Sequence, residues 1–242
     1  MPVDQGQIDG SIVPPAKIVS LAKKYQCRSI SYTYTEPTIY FEYAYETAAL
    51  AKQEGMKNIF VTNGYMTEEA LKTIQPYLDA ANVDLKSFQE KFYKEVCGAK
   101  LKPVLENLKL MREMGIWVEI TTLVIPTLND SDKEFEEIVQ FVLSLGPEVP
   151  WHISAFYPTY KMLNLPRTPA SSLHRARQIG MKAGLRYVYC GNIPGEEGED
   201  TFCPQCGRSV IERVGFRVMK NDIVKGACRH CYTKIEGVWD SG

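Results

Sequence analysis

A chain of 242 residues that is 45% hydrophobic and 24% charged carries enough apolar material for one sizeable α/β core and a small appendage. Its formal charge of −1 and pI near 6.3 give no overall positive field, which disfavours nucleic acid as a partner. No apolar run approaches the roughly 18 residues of a membrane span and Met1-Pro2-Val3-Asp4-Gln5 is no signal peptide, so no membrane partner is expected and the expected compartment is the cytoplasm.

Pro14-Pro15 opens a segment with Ile18, Leu21, Ala22 and Tyr25 at helical spacing. The β-branched and aromatic run from Ser29 to Glu36 predicts a strand that stops at Pro37. A second helix is expected beyond it, with Tyr40, Tyr43, Ala44, Thr47, Ala48 and Ala51 on one face and Gly55 as its stop. Lys57 to Val61 reads as a short strand with the tip Thr62-Asn63-Gly64. Thr67, followed by Glu68 and Glu69, is an N-cap with acids in the first turn. Val83 leads to the charged tip Asp84-Leu85-Lys86, and Pro103 to Met114 is helical. Ile116 to Ile125 is the longest strand signal, and Asn129-Asp130-Ser131-Asp132 caps a helix carrying Phe135, Ile138, Val139 and Val142 inward. Trp151 to Pro158 is the next strand and tip, Thr168-Pro169 starts a last long helix ending at Gly184, and Arg186 to Cys190 is a final strand.

Strands alternating with helices of this length predict parallel pairing, with polar tips gathered where the strands end. An open doubly wound sheet would gather them in the same way, so the pattern supports a βα pocket more firmly than a closed barrel. Residues 1–192 form this unit, 193–200 a linker of turn formers and acids, and 201–242 a small module.

Cys203, Cys206, Cys228 and Cys231 form two Cys-x-x-Cys knuckles whose thiolates complete a tetrahedral sulfur site, for zinc or a rubredoxin-like single iron. Twenty-one residues separate the knuckles. The module is too small for its own core, so the metal is expected to be structural. Cys27, Cys97 and Cys190 read as buried small residues, Tyr32, Tyr34, Tyr40, Tyr43 and Tyr45 as packing residues, and His152 and His174 as structural. Glu36 fits an acid at a helix N-terminus, but with Thr35, Asn63, Asp84 and Lys86 facing the same space it also fits an acceptor for a ligand ammonium, beside groups that hold a carboxylate. Asp84 and Lys86 either face a ligand or pair with each other.

Together, Tyr32-Thr33-Tyr34-Thr35-Glu36-Pro37-Thr38, Val61-Thr62-Asn63-Gly64-Tyr65, Val83-Asp84-Leu85-Lys86, Val124-Ile125-Pro126-Thr127-Leu128-Asn129-Asp130, His152-Ile153-Ser154-Ala155-Phe156-Tyr157-Pro158 and the four-cysteine tail resemble the radical SAM superfamily. Within it the chain is most similar to enzymes related to the pyruvate formate-lyase activating enzyme, and among those to the AmmeMemoRadiSam-system enzymes. The resemblance implies a partial (β/α)6 barrel. It also implies an oxidoreductase in which a 4Fe–4S cluster, supplied with electrons by a donor such as a flavodoxin or ferredoxin, reduces S-adenosylmethionine to methionine and a 5′-deoxyadenosyl radical. The radical abstracts a hydrogen from a protein or small-molecule substrate.

By the same resemblance Tyr34, Thr35 and Glu36 stand at the family's Gly-Gly-Glu-Pro motif, which contacts the methionine amino group. Asp84 and Lys86 stand at its Asp-x-Lys motif beside the cofactor, and Thr62, Asn63, Phe156 and Tyr157 at strand ends that border it. The family's Cys-x-x-x-Cys-x-x-Cys is absent, and the chain opens on a helix where the family has a strand and its cluster loop. The expectation is therefore a chain lacking that first strand and cluster segment, binding S-adenosylmethionine weakly and turning nothing over. The alternative is a cluster-free ligand-binding or partner-binding module with a zinc tail.

Overall fold

The computed structural model of the chain describes residues 11–193, 197–215 and 217–239. α1 (Pro15–Lys24) starts on proline and buries only Val19 and Ala22. β1 (Ser29–Tyr32) is shorter than the sequence suggests, because Thr33 to Glu36 leave the sheet as a loop in which Tyr34 takes a positive φ of 39°. α2 (Phe41–Gln53) buries Ala44, Thr47, Ala48 and Ala51. The chain continues through β2 (Lys57–Thr62), α3 (Glu68–Ile74) and β3 (Ala80–Asp84), then α4 (Glu90–Phe92), which runs into a π-helical turn at Tyr93–Cys97. α5 (Leu101–Glu113), β4 (Trp117–Val124), α6 (Asp132–Leu145), β5 (Trp151–Ala155), α7 (Ala170–Ala183) and β6 (Val188–Gly191) complete the unit.

The six strands are parallel and neighbour one another in simple sequence order, β1-β2-β3-β4-β5-β6. No reversal of order interrupts the sheet, so a doubly wound architecture with its switch point is excluded and the arrangement is that of a partial βα barrel. One face of each strand is sealed by the helices: Phe60, Val83, Val118, Ile120, Trp151 and Ile153 are essentially inaccessible and pack on Leu71, Leu108, Met111, Phe135 and Ile138. The other face is half-buried and mixed, carrying Asn82, Asp84, Glu119, Thr121, His152 and Ser154 beside Ile59, Trp117 and Tyr189. Period-2 alternation thus seals one set of apolar residues under the helices and leaves the polar residues on the concave side.

The Thr67 Oγ1 accepts from the Ala70 N–H at 3.1 Å, as the cap pattern predicts. At α6 the cap is Ser131, whose Oγ accepts from the Glu134 N–H at 3.2 Å. Two packing expectations are corrected. Cys27 is exposed, because it lies after the end of α1 rather than under it, and Tyr34 is 94% exposed, because the backbone turns outward at that residue. Cys97 is half-buried and Cys190 buried.

The C-terminal module contains an antiparallel sheet of β7 (Thr201–Phe202), β8 (Ser209–Val214) and β9 (Arg217–Asn221), and a hairpin of β10 (Ile223–Val224) and β11 (Ala227–Cys228). Its small core joins Val210, Cys203, Cys228 and Ile235 to Tyr187 beside β6. In the stretch expected to be a linker, residues 194–196 lie outside the described residues. Asp200 and Glu199 accept the N–H groups of Arg213 and Gly215, both at 2.7 Å. Among the described residues no helix is long and apolar enough to cross a membrane.

Candidate functional site at the strand tips

The first group at the carboxyl ends of the strands is built around Glu36, 7% exposed. Its Oε1 accepts from the Thr62 hydroxyl at 2.6 Å and from the Thr38 hydroxyl and N–H at 3.1 and 3.3 Å. Among the described residues its Oε2 accepts one bond, from the Asn63 N–H at 2.7 Å. The carboxylate therefore ties the loop after β1 to the tip of β2, and Oε2 keeps acceptor capacity for a further donor. Asn63 closes its own turn by accepting the Tyr65 N–H at 2.8 Å, and Gly64 follows with φ +71°. A Cβ there would meet Val83 at 2.7 Å, so the tip is passable only to glycine.

The second group lies at the adjacent tip. Asp84 and Lys86 form an ion pair at 2.7 Å with both side chains 37% exposed, the plainer of the two arrangements open to them. The Lys86 N–H donates to the Tyr93 hydroxyl at 3.2 Å. Burial pushes the Tyr93 phenol far above its ordinary value, with the charges of Cys97, Asp84 and Glu134 adding to that, so it stays protonated. Burial also raises the Cys97 thiol, opposed by the nearby Lys86 charge.

Two residues absent from the sequence-level list hold this tip. Asn129 accepts the Ile125 N–H at 2.6 Å and donates to the Lys86 and Leu123 carbonyls at 2.6 and 2.9 Å, fixing the Asp84-Leu85-Lys86 turn to the end of β4. Glu134, fully buried, accepts from the Ser87 hydroxyl at 2.5 Å, the Phe88 N–H at 2.6 Å and the Gln89 amide at 2.5 Å. Asn129 fell within a tip motif but was taken as part of a helix cap. Glu134 carries no sequence signal, since it looks like an ordinary first-turn acid.

The remaining candidates are dispersed. Thr35 is exposed beside Tyr34. Phe156 is buried in the core, with its N–H on the Thr168 hydroxyl at 2.8 Å, so its side chain does not face the open tips. Tyr157 is exposed, donates to the Asn192 carbonyl at 2.9 Å and carries the Arg167 guanidinium 4.3 Å over its ring.

In the C-terminal module all four Sγ atoms lie within 4.8 Å of one another, with Cys203 to Cys231 at 3.5 Å and Cys206 to Cys228 at 3.8 Å. A tetrahedron with metal–sulfur bonds of about 2.3 Å has edges near 3.8 Å, so the set fits one thiolate-bound ion. Burial and the neighbouring Cys231 and Cys206 push the Cys203 thiol up to about 12, while hydrogen bonds from Thr233 draw Cys231 down to about 6. Only a cation among them lets four such thiols ionise together. His230 is not needed as a ligand and faces Asp222 at 3.4 Å. By contrast, Cys27, Cys97 and Cys190 sit before β1, on the π-turn and within β6, and do not join any group of metal-ligating residues among the described residues. Those three cysteines do not form the ligand set of an iron–sulfur cluster.

Comparison with known proteins agrees with this architecture. The family model described as "Radical SAM superfamily" matches residues 3–142. The uncharacterized protein MJ0808 of Methanocaldococcus jannaschii is 46% identical over 225 residues, covering 92% of this chain and 67% of that protein. The isethionate sulfite-lyase activating enzyme of Nitratidesulfovibrio vulgaris is 27% identical over 114 residues, covering 44% of this chain and 37% of the enzyme. Among solved structures, a domain of a pyruvate-formate lyase-activating enzyme from Bacteroides vulgatus superposes with TM-score 0.58 at 19% identity, covering 68% of this chain and 99% of that one. Streptococcus suis SuiB bound to S-adenosylmethionine superposes with TM-score 0.62 at 16% identity, covering 77% of this chain and 45% of that one. The two structures show the fold alone. With more than half of its length matched by the family model, the chain belongs to the radical SAM superfamily, with activating enzymes among its relatives.

Proposed function

We propose that this chain is the S-adenosylmethionine-binding unit of a radical SAM enzyme of the activating-enzyme kind, of AmmeMemoRadiSam type. The single observation that carries the reading is Glu36: a buried carboxylate at the strand tips, locked by Thr38, Thr62 and Asn63, with acceptor capacity left on Oε2. The methionine ammonium is the donor assigned to that oxygen. The positive φ of Tyr34, a conformation glycine favours, and the outward exposure of its side chain leave the backbone beside Glu36 approachable despite the absence of the family's two glycines. Lys86, held by Asp84, Tyr93 and Asn129, supplies the cation for the methionine carboxylate. Asn63 and Tyr157 border the bound molecule. When bound beside a cluster, S-adenosylmethionine is a source of carbon-centred radical; residues 1–242 carry no ligand set for that cluster, so reductive cleavage is assigned only to a form that has one.

The test is calorimetric titration of this chain with S-adenosylmethionine, and with methylthioadenosine as a ligand lacking the amino acid. Glu36→Gln is expected to weaken S-adenosylmethionine by about 10- to 100-fold, the loss of one charge-assisted hydrogen bond, and to leave methylthioadenosine unchanged. Equal weakening of both ligands, or of neither, refutes the assignment.

The dispersal of Cys27, Cys97 and Cys190 favours a second reading, a cluster-free ligand-binding module with a structural zinc tail. About four irons per chain beyond the tail's ion after anaerobic reconstitution would reject that second reading.

A further inference from the structure

Between the concave face of the sheet and the C-terminal module lies a cavity of about 640 Å³, distinct from the strand-tip groups. That is ample for a small metabolite, since ligand cavities run from roughly 300 to 1,000 Å³. Its apolar wall includes Trp117, Tyr189, Ile211, Ile235 and Trp239. Its polar wall shows an imbalance between donors and acceptors.

Every carboxylate on the wall is already engaged. Glu119 accepts from the Trp117 indole at 3.1 Å and pairs with the His152 Nε2 at 2.7 Å. Burial alone would raise the Glu119 carboxyl, but His152, Trp117 and the charge of Arg213 outweigh it and hold it below its ordinary value, so it is ionised. Glu199 accepts the Gly215 N–H, and Glu236 accepts from Arg186 and from the Tyr187 hydroxyl at 2.7 Å.

Donors, in contrast, are left over. Among the described residues the Arg213 guanidinium forms no ion pair, and it bonds only through one nitrogen, to the Thr201 hydroxyl at 2.9 Å and the Glu199 carbonyl at 3.3 Å. The Asn82 amide uses its oxygen for the Thr121 hydroxyl at 2.7 Å and leaves its NH2 group without an acceptor among the described residues. The Ser154 hydroxyl has no partner among the described residues.

We infer that this cavity binds a small monocarboxylate with an aromatic or other apolar body, its carboxylate held by the free edge of Arg213 and its body against Trp117, Tyr189 and Trp239. A guanidinium edge matches a carboxylate in a two-bond fork. A monoanion suits the wall better than a phosphate dianion, because a single guanidinium edge is on offer and the ionised Glu119 beside it repels a second negative charge. This inference concerns a site separate from the strand tips and does not depend on S-adenosylmethionine binding there.

Trp117 and Trp239 line the cavity while Trp151 is buried on the opposite face, so indole fluorescence reports occupancy. The experiment titrates the metal-loaded chain, with no S-adenosylmethionine present, with phenylacetate, 3-phenylpropionate and cyclohexylacetate, each beside its primary amide. At least one acid is expected to bind about tenfold or more tightly than its own amide, as a charge-assisted pair requires. Arg213→Met is expected to abolish that preference and Arg213→Lys to retain part of it. Because Arg213→Met also loses contacts to Thr201 and Glu199, its circular dichroism and metal content are compared with the parent chain, and Ser154→Ala is expected to weaken the acid by a few-fold without touching the module. Equal binding of acid and amide, an undiminished preference in folded Arg213→Met, or no binding of any of the three acids up to millimolar concentration overturns the inference.

Discussion

Removing the carboxylate of Glu134 tests whether the second strand tip is held as the geometry states. In Glu134→Ala the Ser87 hydroxyl, the Phe88 N–H and the Gln89 amide lose their common acceptor at a site with no solvent access to Glu134 or Ser87. Each unsatisfied buried donor costs about 1–3 kcal/mol. Local relaxation lets some of them reach water, and the removed charge no longer has to be desolvated, so a net loss of about 3–5 kcal/mol is expected, the sum of two to three donors left without their acceptor. At roughly 2–4 °C per kcal/mol for a unit of this size, the melting temperature falls by about 6–20 °C. Glu134→Gln keeps one oxygen for Ser87 and Phe88 and is expected to lose only about 1–2 kcal/mol. Urea unfolding followed by far-ultraviolet circular dichroism, with the four-cysteine site metal-loaded throughout, measures both. The same variants are expected to weaken S-adenosylmethionine, because Ser87 to Gln89 continue directly from Lys86. A Glu134→Ala protein within about 1 kcal/mol of the parent refutes the reasoning, since no network of three donors to a buried carboxylate is lost that cheaply.

Gly64→Ala is expected to destabilise the chain by roughly 2–3 kcal/mol in the same assay, from a positive φ and a Cβ 2.7 Å from Val83, and to disturb the neighbouring Thr62 and Asn63; a neutral substitution rejects the proposed close approach. Elemental analysis is expected to find one zinc or iron per chain, and a strong chelator is expected to make residues 201–239 susceptible to protease while the parallel sheet persists; a metal-free but protease-resistant module contradicts the thiolate site. In acid, the lowered carboxyl of Glu119 means that the unfolded chain binds its proton first. Its contribution to stability is therefore complete above its ordinary value near 4.5 and is lost as pH falls through the lower folded value. Glu119→Gln is expected to flatten the decline of stability below about pH 4.5, and an unchanged slope would show that the Glu119–His152 pair is not formed.

Much of this architecture is written in local pattern. The alternation of strands and helices, the Thr67 cap, the polar tips and the cysteine spacing each depend on residues within a few positions of one another, where backbone sterics and side-chain periodicity act directly. The resemblance of the tips to the radical SAM superfamily was legible for the same reason: a tip is a short contiguous string, and residues 3–142 match the family. Strand ends were less legible. Ser29 to Glu36 continues as a β-forming pattern, but strand pairing stops at Tyr32, where Glu36 turns back to meet Thr62 and Asn63 across 26 and 27 positions.

What the sequence by itself determined is therefore the element type, their order and the four-cysteine set, because each follows from neighbours along the chain. Only the tertiary structure decided that strand order runs without reversal, that Asp84 pairs with Lys86, that Phe156 faces the core, and that Asn129 and Glu134 hold the tip. The cavity under the four-cysteine module is of the same kind: Asn82, Glu119, His152 and Arg213 come from four strands and share one wall only when the sheet curves and the module docks on β6. Hydrogen bonds and ion pairs spanning tens of residues reward a fold only after its chain entropy has been overcome, so no local signal announces them.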